Sequence, residues 1–431
     1  MFSLDTQDIA LDLEAGAAFE LSARFLGFIT DNIYGEFQST SAHLSLLSNV
    51  LRFFTVTYLG NNDIHTLASS YNAEVRKTLL SSYFRALFYL GQQNVSDIPR
   101  QLPSALLSAA AAGTASIYAL FGGQGTNEVY LDDLQSLYDV YKPFVEPFIT
   151  TMTNEVLEPL AATRQDTMFY SYGMNVTAWL SGEIHRPSTT YLASVPISAP
   201  LIGLTQLAQY LVVCRVSNIT PAELRDRIVG ATGHSQGLVS AVAIAASTTF
   251  ESFMDNARKA IKWLFFSGLR GQQAFPVTSL EPGIVQDTLD GGEGTPSPML
   301  SVAGLSFNDL ELHVKKTNSH LPDNSKITVS LRNGPRTFVV TGPPRSLYGL
   351  VTNLRKIRAP TGLDQSKTPF SQRKPVFSIR FLVVGVPYHS TYLDGAAEKL
   401  CMEDLGGEEL WKPQDLHIPV FHTEDGWFPS S

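Results

Sequence analysis

The stretch that most restricts how this chain can fold is residues 228–246, "IVGATGHSQGLVSAVAIAA". A run of small and β-branched residues ends in Gly233-His234-Ser235-Gln236-Gly237, and an apolar stretch without a helix breaker follows. In a G-x-S-x-G pattern the glycines relieve crowding where a strand turns abruptly into a helix. The serine then stands exposed at the helix N-terminus, where unpaired backbone N–H groups can hold a negative oxygen. Such a corner calls for a buried strand with a helix laid back on its sheet. An ordinary glycine turn could use the same five residues, so the rest of the sequence must separate the two readings.

The surroundings favour the corner. "SIYALF" (116–121) is β-prone and ends in Gly122-Gly123-Gln124-Gly125, and an amphipathic helical pattern runs from Val129 to about Phe148. Thr220-Pro221-Ala222-Glu223 has the form of a capping box with proline at the first helical position. Strands separated by helices predict a parallel α/β sheet. Residues 298–384 then read strand, helix, strand, strand, helix, strand, the ferredoxin-like order, between flanks rich in Gly, Pro and polar residues. Residues 1 to about 112 show apolar spacings of three and four, as in "VRKTLLSSYFRALFYL", and read as mostly helical. The expected class is α/β: a hydrolase-like parallel-sheet core with an inserted ferredoxin-like subdomain and a helical N-terminal segment. The expected divisions are 1–114 for the helical segment, 115–297 for the core, 298–384 for the insert and 385–431 for the return to the core.

Composition removes several classes of function. The chain of 431 residues has 31 basic against 40 acidic side chains, net −9, with no basic run, so no nucleic-acid partner is expected. Cys214 and Cys401 are its two cysteines, which fits a reducing cytoplasm and leaves neither a disulfide framework nor a cysteine-based metal site. The N-terminus has no basic region ahead of an apolar core, so it is not a secretory signal. Ile197–Cys214 is apolar and long enough to span a bilayer, but its two glutamines and a proline favour a buried core helix, with no membrane involved.

A serine nucleophile needs a base near neutral pH, and histidine is the side chain suited to that task. Of nine histidines, His234 adjoins Ser235 and is read as a wall residue, because neighbouring side chains diverge at a tight corner. His389, in Val386-Pro387-Tyr388-His389-Ser390, directly follows the last strand of the insert, where the chain re-enters the core. Its position favours it as the base; a capped loop histidine is the plainer alternative. The N–H of Gln236, next to the nucleophile, is one candidate oxyanion donor. The loop Phe121–Gly125 can bring a second, since glycines let backbone approach a ligand closely, although a simple glycine turn is the competing reading.

Three features in this order resemble the acyl-carrier-protein acyltransferases: GQG after an early strand, GHSxG about a hundred residues on, and a histidine beyond a ferredoxin-like insert. "LGNNDIHTLA", "FGGQG", "GATGHSQGLVSAVAIA", "GTPSPMLS", "KTNSHLP", "TGPPRSLYGL" and "TGLDQSKTPFSQRK" look like the N-terminal acetyltransferase domain of the fungal-type fatty acid synthase β subunit, from about residue 20 to 425. The resemblance implies Ser235 as nucleophile, His389 as base, Gln124 and Gln236 as backbone oxyanion donors, and Gly123, Gly125, Gly233 and Gly237 as turn glycines. It implies ping-pong transfer of acetyl from acetyl-CoA to the phosphopantetheine arm of an acyl carrier protein, with no tightly bound cofactor and no metal. In that family the histidine is oriented by backbone carbonyls or an amide, and Asn333 lies near where such groups occur. The acyl-specificity position falls on Ser267, with Arg270 one turn later; malonyl-specific relatives carry an arginine for the free carboxylate. The remaining synthase modules and the α subunit are the implied partners in a cytoplasmic multienzyme complex. Alternatives are a transferase for a longer starter acyl chain in a secondary pathway, a serine hydrolase or thioesterase, and a truncated non-catalytic scaffold.

Overall fold

The computed structural model describes residues 2–4, 7–9, 19, 22–30, 41–60, 62–93, 95, 104–125, 129–164, 168–360 and 362–422. Nine strands are described, and the eight helices that bear on the site and its supports are labelled here in chain order. Two three-residue strands, β1 (Phe2–Leu4) and β2 (Gln7–Ile9), pair antiparallel at the N-terminus. This differs from the helical reading of that stretch: strands of three residues are too short to show alternation. Helices α1 (Ser41–Phe54) and α2 (Ala73–Gln92) follow and close a core of their own around Leu47, Leu51, Phe54, Leu79 and Phe84. Asn72 caps α2 by accepting from the Val75 N–H, satisfying one of the N–H groups a helix start leaves unpaired.

The central sheet is parallel, in the order β3 (Ile117–Phe121), β4 (Ile228–Gly233), β9 (Val420–Phe421). Phe121 lies opposite Gly233, so the two glycine-rich loops leave the sheet at the same edge. That edge, beyond the carboxyl ends of parallel strands, is where open α/β sheets place ligands. Helix α3 (Tyr130–Met152) carries Pro143 and Pro147 and is kinked at Tyr141. Helix α4 (Val195–Val216) is the apolar candidate span, and 83% of its most apolar window is buried inside the protein. Burial on all sides over residues 195–205 explains its lack of an apolar stripe there. Helices α5 (Gly237–Ala245) and α6 (Phe250–Ala274) pack with it. A Cβ at Gly268 of α6 would stand 2.7 Å from the Val195 carbonyl oxygen, so the missing side chain sets how closely α4 and α6 approach.

The capping box predicted at Thr220 is present, with Thr220 Oγ1 accepting from the Glu223 N–H and the Glu223 carboxylate accepting from the Thr220 N–H. Residues 299–381 form an antiparallel sheet in the order β6 (Thr328–Gly334), β7 (Thr337–Thr341), β5 (Met299–Ala303), β8 (Ser378–Phe381). Helix α7 (Phe307–Asn318) links β5 to β6, and α8 (Pro344–Ile357) links β7 to β8. Fully buried Leu310, Leu347, Leu350 and Leu354 fix both helices on one face of this sheet. Each such side chain contributes roughly 1.5–3 kcal/mol on leaving water. A small apolar cluster of Val195, Met299, Val339, Val384 and Val386 joins the start of α4 to the insert and to the segment carrying His389.

Candidate active site

Ser235 sits between β4 and α5 with φ +53°, in the left-handed region that costs a non-glycine residue about 1–3 kcal/mol. The neighbours make the corner obligatory. A Cβ on Gly233 would run into the Gly237 carbonyl and the Leu238 nitrogen, and one on Gly237 into the carbonyl oxygens of Phe121 and Gly122. A Cβ on Gly123 would lie 2.8 Å from the His234 carbonyl oxygen and 3.3 Å from Ser235 Cβ. Gly125 differs: no atom lies within 4 Å of its Cβ position and its φ is not left-handed, so space does not demand glycine there.

His389 also has positive φ, +60°. Its turn is closed by the Tyr388 N–H donating to Val386 O at 2.9 Å and by Ser390 Oγ donating to Pro387 O at 2.5 Å. This geometry carries the ring to Ser235, with Oγ and Nε2 2.9 Å apart across 154 residues of sequence. Burial pushes the His389 pKa below the usual imidazole value, and the neighbouring His234 adds a smaller repulsion in the same direction. No carboxylate acts on it. The ring is therefore neutral at physiological pH and can accept a proton.

The two glutamines are tied together. Gln124 Nε2 donates to Gln236 Oε1 at 2.8 Å, Ser198 Oγ donates to Gln124 Oε1 at 3.2 Å, and Gln236 Nε2 donates to the Ala199 carbonyl at 3.3 Å. The preceding turn is anchored as well, because Gln206 Nε2 donates to Gly122 O and is itself held by Ser240 Oγ. These bonds brace the Phe121–Gly125 loop against α4 and the corner. Among the described residues the Gln236 N–H has no hydrogen-bond partner.

Asn333 is brought to the site, but its Oδ1 lies 3.2 Å from His234 Nε2 rather than on His389. His234 thus forms a contact between the corner and the insert as well as a wall. Ser267 reaches the site through its backbone: the half-buried Tyr388, adjacent to His389, donates its hydroxyl proton to Ser267 O at 3.3 Å. Arg270 is not brought to Ser235. Its guanidinium is bound by Asp404 at 2.7 and 3.1 Å and by Glu403 at 2.7 Å, and the buried Asp404 carboxylate also receives Arg164. Those partners lie more than a hundred residues away, so no local signal announced them. The signal for Tyr388 was its place beside His389. Among the described residues no group of three His, Cys, Asp or Glu side chains could hold a metal ion.

Residues 119–375 match the family described as starter unit:ACP transacylase in aflatoxin biosynthesis. The chain belongs to that family. Residues 1–90 match a second family, the N-terminal domain in fatty acid synthase subunit beta. Fatty acid synthase subunit beta of Saccharomyces cerevisiae is 41% identical over 423 residues, covering 98% of this chain and 20% of that protein. Fatty acid synthase beta subunit TOXC of Cochliobolus carbonum is 37% identical over 413 residues, covering 95% and 20%. The chain thus spans about a fifth of the length of these relatives. A type II polyketide synthase malonyl-transacylase, solved in complex with its acyl-carrier protein, is similar with a TM-score of 0.43 and 18% identity over 74% of this chain and 77% of that one.

Proposed function

We propose that this acyltransferase moves an acetyl starter unit from CoA to the phosphopantetheine thiol of an acyl carrier protein through an acetyl-Ser235 intermediate. The observation that carries the proposal is the Ser235–His389 contact at 2.9 Å, with a neutral ring and no carboxylate behind it. A hydrolase of the Ser-His-Asp type depends on a carboxylate to orient and stabilise its imidazolium.

In the first half-reaction Ser235 Oγ attacks the thioester carbon while His389 Nε2 takes the hydroxyl proton. The negative oxygen of the tetrahedral intermediate is held by the N–H groups of Gln236 and Gln124. Collapse breaks the C–S bond, and the leaving sulfur takes the proton from His389. In the second half-reaction the pantetheine thiol gives its proton to His389 and attacks the acetyl ester. Collapse then breaks the C–O bond and returns the proton to Ser235. No metal or bound cofactor enters either half.

The acetyl preference rests on Ser267 at the specificity position and on Arg270 being already paired with Asp404 and Glu403. An arginine so engaged is not available to a malonyl carboxylate. The family description names a starter unit without specifying its acyl group, which leaves a second reading in which a longer starter acyl chain is the donor group. Acylation rates with acetyl-, hexanoyl- and malonyl-CoA decide between them: acetyl fastest and malonyl barely reacting is expected. Equal loading by acetyl and malonyl would overturn the specificity. Discharge to water as fast as to a pantetheine thiol would overturn the transferase reading.

A further inference from the structure

A cavity of about 350 Å³ lies between α2, the proline-bearing stretch of α3, the last turns of α4 and the first turns of α6. That volume is within the range of about 300–1,000 Å³ typical of small-molecule sites. Its walls are mainly apolar, with Phe88, Phe144, Phe148, Phe250, Phe253 and Met254 among them. Thr151, one of the few polar groups on the wall, already donates its hydroxyl proton to Pro147 O at 2.8 Å. Prolines at 143 and 147 and the kink at Tyr141 keep α3 from running as one straight rod past α2 and α6.

One wall carries a charge. Arg215, in the last turn of α4, lays its guanidinium 3.5 Å from the centre of the Phe250 ring. Among the described residues it has that ring as a partner and no carboxylate. The residue as a whole is exposed, yet desolvation of its head against the Phe250 ring lowers its pKa from the ordinary arginine value. A cation at a helix C-terminus is favourable by itself, and stacking on Phe250 would serve that role too. An uncompensated, partly desolvated guanidinium beside an apolar hollow also has the two halves of a receptor for an amphiphile. Its planar fork matches two carboxylate oxygens, and the aromatic walls suit a tail without polar atoms.

We propose that this cavity binds a linear aliphatic monocarboxylate, with its head on Arg215 and its tail among the rings of α2, α3 and α6. Such a ligand has the chemistry of a free fatty acid. The site is distinct from the one at Ser235. Met254 and Ser267 are thirteen residues apart on α6, about 20 Å at 1.5 Å per residue.

The test uses the 431-residue chain with octanoate, octanol and octylammonium as probes in isothermal titration calorimetry, with and without saturating acetyl-CoA. Octanoate should bind saturably, acetyl-CoA should leave its affinity unchanged, and octylammonium should be rejected. Arg215→Gln should weaken octanoate at least tenfold and leave octanol within twofold, as expected when a charge-assisted pair is lost. Arg215→Lys should recover part of the loss, and Met254→Trp should block octanoate and octanol alike. Thermal melts of each variant identify any that fail to fold. No saturable octanoate binding, binding abolished by acetyl-CoA, or an unchanged octanoate affinity in a folded Arg215→Gln would each overturn the proposal.

Discussion

Substituting alanine at the glycines around Ser235 should separate a folding requirement from a catalytic one. A methyl group at Gly123 meets the His234 carbonyl oxygen at 2.8 Å, where ordinary contact begins near 3.4 Å, so 3.4 − 2.8 = 0.6 Å must be taken up by movement. The groups that would move are the corner carrying Ser235 and the loop carrying Gln124. Displacement of about 1 Å in a catalytic constellation can cost roughly a hundredfold. Gly123→Ala should therefore slow acylation by roughly ten- to a hundredfold while the fold persists, since it presses on a carbonyl and two side-chain atoms at the mouth of the site. Gly233→Ala collides with the backbone of Gly237 and Leu238, with no flexible partner to yield, and should prevent folding or lower stability by several kcal/mol. Gly122→Ala and Gly125→Ala meet nothing within 4 Å and serve as controls expected to keep both rate and stability. Pre-steady-state acylation by radiolabelled acetyl-CoA reads the first property and chemical denaturation the second. A Gly123→Ala enzyme acylated at the control rate would refute the packing argument, and so would one that unfolds alongside Gly233→Ala.

Because the proposed base must be neutral and its pKa is depressed, kcat/KM should fall only as pH drops below the ordinary imidazole value of about 6.5. His234→Gln removes the repulsion on His389 and should move that acidic limb to higher pH; a limb that stays put or moves down contradicts the stated cause. Arg270→Met should cost about 2–3 kcal/mol by leaving the buried Asp404 carboxylate to Arg164 alone, without improving malonyl loading relative to acetyl, as read by denaturation and by acylation assays. Glu293→Gln should lower the melting temperature, because the fully buried Glu293 carboxylate receives Arg355 and Arg358 from the end of α8 and just beyond, and ties the insert to its entry linker. An unchanged melting temperature would show that the linker holds without those ion pairs.

The corner at Ser235 was legible because its determinants are local: two glycines four residues apart, a β-prone run before them and an apolar helix after. The insert's sheet was legible for the same reason, since its strands and helices each carry their own period. His389 could be chosen by its position after the insert, but the positive φ that aims it could not be read, being set by the Val386–Ser390 turn. The pairing of Asn333 with His234 spans ninety-nine residues and depends on how the insert leans on the corner. The capture of Arg270 by Asp404 spans one hundred and thirty-four, so a reading by helical position alone could set it one turn beyond Ser267 but not foresee the carboxylates that hold its side chain. Helix α4 hid its role differently. Residues 195–205 of it are buried on every side, so composition could indicate a core helix while periodicity indicated no face.

The proposed transfer requires Ser235 to carry the acyl group. Peptide mapping by mass spectrometry after brief exposure to acetyl-CoA tests this most directly. A single acetyl group on the peptide containing Ser235, absent in Ser235→Ala and removed on adding a pantetheine thiol, is the expected result. No adduct on the folded wild-type chain, or one that persists in Ser235→Ala, would contradict it.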